Sequence, residues 1–66
     1  MQIVINGERR EIPDGLRMEA LVQQLGLAGQ RIAIEVNQEL VPRSRFAEHV
    51  LRPGDRVEVI QAVGGG

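Results

Sequence analysis

The sequence predicts an α+β fold, a mixed β-sheet packed on one main helix. Three observations carry this expectation. Short runs near both ends alternate apolar with polar residues, the period of a strand with one buried face. Between those runs Met18, Leu21, Val22 and Leu25 recur at helical spacing and form one apolar stripe. The stretch from the second strand through the helix is long enough to cross over, so parallel as well as antiparallel neighbours are available. At 66 residues there is material for one domain, placed at 1–63, followed by a glycine tail at 64–66.

The elements follow in order. Residues 2–5 form a β-prone run, and Asn6-Gly7 is a hairpin turn signal because both residues accept positive φ. Residues 8–12 return as the second strand until Pro13-Asp14-Gly15 breaks it. The helix then carries its apolar stripe, with Glu19, Gln23 and Gln24 toward water. Gly26 suits the left-handed position after a helix, which makes Leu27 and Val22 the pair that touch in a Schellman cap. Arg17 is a poor N-cap, so the start of the helix is expected to fray.

In the next strand, 31–36, Ile32, Ile34 and Val36 share one face, and Ala33 and Glu35 the other. Asn37-Gln38 turns the chain into the apolar pair Leu40-Val41, which Pro42 ends. Ser44 is read as the cap of a single helical turn holding Phe46 and Ala47, with Phe46 and Val50 closing one end of the core. Pro53-Gly54 fits the centre of a type II turn. The last strand, 56–63, places Val57 and Val59 on one face and Glu58 and Ile60 on the other, then runs almost directly into the glycines.

Composition excludes several function classes. The chain has no cysteine, hence no disulfide, no thiolate nucleophile and no thiolate metal ligand. A net charge of −1 with interspersed signs lacks the basic stripe of a nucleic-acid binder. The apolar runs are too short for a membrane span, and a cytoplasmic protein is expected. His49 has no clustered acid-base partner, Asp14, Glu39 and Asp55 stand singly at turns, and no phosphate-binding loop precedes a helix. No stably bound cofactor or metal is expected.

That leaves the end of the chain. Gly64, Gly65 and Gly66 carry no side chains, and such a tail enters channels too narrow for any other residue. The Gly66 carboxylate at its tip is a group that a partner enzyme can activate. Read from the residues alone, the same glycines also fit a plain terminus on a small β-rich binding module.

Three segments together resemble the ThiS family of sulfur carrier proteins: Met1-Gln2-Ile3 with Asn6-Gly7, Val36-Asn37 through Leu40-Val41-Pro42-Arg43-Ser44, and Gly54-Asp55 through Val63-Gly64-Gly65-Gly66. The resemblance spans essentially the whole chain and implies the ubiquitin-like β-grasp fold. It implies that a ThiF-like adenylating enzyme, which itself binds ATP, converts the Gly66 carboxylate to an acyl-adenylate. Sulfur from a delivery protein then gives a thiocarboxylate, and a ThiG-like thiazole synthase takes that sulfur for thiamine. On this resemblance the chain is a cosubstrate and not an enzyme, with Gly64 and Gly65 presenting Gly66. Related carriers serving molybdopterin, and ubiquitin-like protein modifiers, share the fold and the tail and remain alternatives.

The resemblance also points to the open sheet face as the partner's grip. Val4, Glu58 and Ile60 project there if Ile3, Ile5, Val57 and Val59 point inward, which makes a small apolar patch at Val4 and Ile60. Arg9, Arg10, Arg43 and Arg45 read more simply as solvated surface. The chain departs from the family at Arg17, where a capping threonine is common, and at Phe46, where tryptophan is common. Gly64 adds one glycine to the usual pair.

Overall fold

The structure is a computed structural model and describes residues 1–61. The elements run β1 (Gln2–Ile5), β2 (Glu8–Glu11), α1 (Met18–Gln24), β3 (Ile32–Val36), β4 (Glu39–Val41), a 3-10 turn at Arg43–Arg45, and β5 (Arg56–Gln61). They form one five-stranded sheet in the order β2-β1-β5-β3-β4. Two antiparallel hairpins, β1-β2 and β3-β4, flank β5, which pairs parallel with β1 and antiparallel with β3. The expected mixed sheet with one helix is therefore observed. The expected continuation of the last strand to residue 63, and the tail at 64–66, lie outside the described residues.

Strand alternation sends Ile3, Ile5, Ile34, Val36 and Val57 to the helix side, where they meet Met18, Leu21 and Val22 of α1 in the core. Six side chains are essentially sealed from solvent: Ile3, Met18, Leu21, Ile34, Leu51 and Val57. Full burial of one such aliphatic side chain is worth about 1.5–3 kcal/mol, so branched aliphatics carry the core that a single aromatic cannot.

Helix α1 ends as its sequence implies. Gly26 takes φ +73°, its N–H donates to the Gln23 carbonyl at 3.0 Å, and the Leu27 N–H donates to the Val22 carbonyl at 3.0 Å. These are the two bonds of a Schellman cap. Its start differs from expectation. Arg17 makes no side-chain cap, yet the Met18 and Glu19 N–H groups donate to the carbonyls of His49 (2.8 Å) and Phe46 (3.0 Å). An Arg17–Val50 bridge locks the same corner. Backbone from a distant loop thus satisfies the donors that a local side chain leaves open, so the helix start is held and not frayed.

The segment before β5 brings two further corrections. The 3-10 turn starts after Pro42 without a side-chain cap, so Ser44 does not cap it, and Phe46 sits at its C-terminal end. Phe46 is buried as expected, but Val50 is 45% exposed and Leu51 fills the core instead. The i, i+4 spacing assumed a helix through Val50, whereas the chain turns away and the Leu51 N–H reaches the Leu16 carbonyl at 2.9 Å.

Two asparagines tie the hairpins to β5. Asn6 and Asn37 adopt left-handed φ of 49° and 52° in their turns. The Asn6 Oδ1 accepts from the Val59 N–H at 2.9 Å, and the Asn37 Oδ1 accepts from the Arg56 N–H at 3.0 Å. Asn37 Nδ2 also donates to Asp55 Oδ1 at 3.0 Å, while Asp55 Oδ2 accepts from the Arg52 N–H at 2.9 Å. Asp55 is the one buried charged side chain among the described residues. It holds the turn before β5, where Gly54 has φ +81°, against the β3-β4 hairpin.

Candidate functional site

Strand β5 is the last element described before residues 62–66. It is the middle strand, hydrogen-bonded on both edges, and Gln61 is its last described residue, paired with Ile32. Gln61 is thereby held in the sheet by its pairing with β3. Gly64, Gly65 and Gly66 themselves lie outside the described residues.

The face away from α1 has no element across it among the described residues. Val4, Glu58 and Ile60 all lie on it, out of phase with buried Ile3, Ile5 and Val57. The structure does not bring Val4 and Ile60 together, however. Val4 stands opposite Arg56, four residues before Ile60 along β5, a separation of about 13 Å at strand rise. Val4 is half-buried between that arginine and Arg9 of β2, its opposite neighbour on the other side.

The apolar surface near the described end of β5 is assembled differently. Ile60, 53% exposed, stands opposite Ala33 on β3. Leu40 on β4, 64% exposed, shares the face and stands opposite Glu35. Leu40 belongs to this surface, and reading Leu40-Val41 as one apolar pair missed it. The signal was the period of two, which sends Leu40 outward whenever Val41 enters the core.

Glu58 sits opposite Glu35 between these apolar groups. Like charges directly opposed across antiparallel strands destabilise by roughly 0.2–1 kcal/mol. The uncovered face thus combines two exposed aliphatic side chains, an alanine and an opposed carboxylate pair toward the described end of β5. Such a surface suits an apolar partner patch that brings a cation with it.

The arginines fall on different surfaces. Arg45 faces Glu48 at 3.9 Å, with both side chains largely exposed, a pair of little energetic weight. Arg43 donates to the Gln30 carbonyl. His49 is half-buried, and its backbone carbonyl, not its ring, has the structural task of receiving the Met18 N–H. Among the described residues no helix is long and apolar enough to cross a membrane.

Comparison with known proteins agrees with this architecture. The ThiS family pattern matches residues 3–66. The sulfur carrier protein ThiS of Escherichia coli is 32% identical over 66 residues, the whole of both chains. A thiazole synthase of Paramagnetospirillum magneticum is 39% identical over all of this chain, which spans only 20% of that protein's length. The crystal structure of a thiamine biosynthesis protein (ThiS) from Geobacter metallireducens superposes with a TM-score of 0.86 at 28% identity and covers both chains fully. The five-stranded mixed sheet on one helix is thus the ubiquitin-like β-grasp fold of that neighbour. By its sequence from residue 3 to its end and by its fold, the chain belongs to the ThiS family, that of the sulfur carrier protein of thiamine biosynthesis.

Proposed function

We propose that this chain carries sulfur as a thiocarboxylate on Gly66 and delivers it for thiazole formation in thiamine biosynthesis. The observation that carries the reading is the end-to-end match with the Escherichia coli sulfur carrier, in a fold whose central strand leads into a glycine terminus.

The chemistry needs the tail as a substrate and the body as a handle. A carboxylate is a poor electrophile. In the first step its oxygen attacks the α-phosphorus of ATP on a ThiF-like enzyme, and pyrophosphate leaves. The outer sulfur of a persulfide on a delivery protein then attacks the acyl carbon and AMP departs; a thiol attacks the delivery protein's sulfur in the resulting acyl disulfide, forming a new disulfide and releasing the thiocarboxylate. Transfer of that sulfur to the thiazole precursor on a ThiG-like synthase returns the carboxylate. The match to a 20% portion of a protein named thiazole synthase favours this acceptor. The partners perform the catalysis and bind ATP, so the chain acts as a cosubstrate in the cytoplasm.

Residues 62–66 span at most about 17 Å when extended. Gly64, Gly65 and Gly66 add no bulk beside the reacting carbonyl, but the partner must order them, at a cost of roughly 1–2 kcal/mol per residue. Docking of the open face around Ile60, Ala33, Leu40, Glu35 and Glu58 offsets that cost. Val4, at the far end beside Arg56, is a peripheral contact on this reading.

The test is intact mass after incubation with the activating enzyme, ATP and a sulfur source. Exchange of one oxygen for sulfur is expected at Gly66, and a chain lacking Gly66 stays folded and unloaded. An unchanged mass where a known carrier is loaded in parallel refutes the proposal.

A further inference from the structure

Position 61 breaks a pattern. Val57, Val59 and Gln61 are in phase on the helix side of β5, yet the third is polar. Its side chain is exposed, yet its amide has a defined partner: Gln61 Nε2 donates to Gln30 Oε1 at 2.7 Å, across 31 residues of sequence. Gln30 is itself fixed twice more through its backbone. Its N–H donates to the Leu27 carbonyl at 3.1 Å, and its carbonyl accepts from Arg43 Nη2. The loop after α1, the 3-10 turn and the last described pair of the sheet, Ile32–Gln61, therefore converge on one residue, and only the link to Gln61 runs through its side chain.

We infer that Gln30 is a positioning residue for the tail, which pins the end of β5 and so sets where the reactive segment begins. The inference rests on the sulfur-carrier reading. Gln30 grips β5 from the helix side, so the face bearing Ile60 stays free for a partner. Without the Gln30 amide the terminal pair opens, and the activating enzyme must order at least one more residue. That costs about 1 kcal/mol, or about a fivefold rise in KM. The Gly66 chemistry is untouched, so kcat holds.

The test compares Gln30→Ala, Gln30→Glu and Gln61→Ala with the unsubstituted chain. Glutamate keeps an acceptor for Gln61 and is expected to restore wild-type behaviour, whereas both alanine variants behave alike and their combination is no worse than either. Two readouts are taken. Backbone 15N relaxation of the free protein should show increased fast motion at residues 60–63 in the alanine variants, and adenylation kinetics should show the KM rise at constant kcat. Unchanged relaxation in both alanine variants overturns the inference, whatever the kinetics. Altered relaxation with unchanged KM overturns the positioning role. If the wild-type chain is not activated at all, the sulfur-carrier reading fails instead, and relaxation alone decides whether Gln30 pins the strand.

Discussion

Replacing Glu58 with lysine should make the protein more stable and less active at once. Glu58 is exposed and stands directly opposite Glu35 in the β3-β5 register. Glu58→Lys turns an opposed like-charge pair into an attractive one, each effect lying in the range of roughly 0.2–1 kcal/mol for cross-strand pairs. Exposure to solvent keeps the sum toward the low end, about 0.5–1 kcal/mol. For a domain of this size that raises Tm by about 3–6 °C. Thermal melts followed by circular dichroism measure it, and the gain should shrink in high salt. It should also largely vanish in a Glu35→Gln background, because the repulsion is already absent and no anion remains to pair with the lysine. On the docking side, kcat/KM for adenylation by the activating enzyme should fall by at least about fivefold at low salt. A lower Tm refutes the electrostatic argument, and wild-type adenylation kinetics refute the assignment of this face.

Three further outcomes follow from the hydrogen-bond pattern. Asp55→Ala removes the acceptor of two bonds at a buried carboxylate and should cost about 3 kcal/mol, read as a lower urea midpoint; Asp55→Asn keeps one acceptor and should cost less. Asn6→Gly preserves the turn conformation but loses the bond to the Val59 N–H, a cost of about 1 kcal/mol that the same titration detects. In a chain whose Met1 amine is free, hydrogen bonds to Glu11 and then Asp14 hold that amine above its ordinary 8.0. A raised value means the folded state binds the proton more tightly, so this stabilisation is complete below pH 8 and is lost as pH climbs through the raised value. Urea midpoints at successive alkaline pH values should therefore decline, and an N-acetylated chain should lack that component.

The fold was legible wherever a residue's task is local. Asn6-Gly7, Gly26 and Gly54 declare their turns through backbone conformation, and the Met18, Leu21 and Val22 stripe declares its helix through spacing alone. Legibility ended where one segment completes another. Nothing near Arg17 reveals that carbonyls of Phe46 and His49, some thirty residues on, take the helix donors. Val50 and Leu51 exchange places for the same reason, since the chain follows backbone bonds to Leu16 and Arg17 instead of a helical period. In the candidate site, alternation placed Val4, Glu58 and Ile60 on the face away from α1, as observed, but one-dimensional reading has no register. The offset of Val4 beside Arg56, the Glu35–Glu58 opposition and the inclusion of Leu40 emerge only when strands are laid side by side.

The last of the described strands is the one both hairpins need. During synthesis β1 and β3 leave the ribosome long before β5, and until Arg56–Gln61 emerges the two hairpins have bare inner edges and no common sheet. Wedging β5 between them joins residues as far apart as Asn6 and Val59, a late, long-range closure that makes assembly all-or-none. A nascent chain cut short before Arg56 would display two unpaired edges to its neighbours. Quality control by the fold therefore comes built in, because a complete open face exists only once β5, its central strand, is in place.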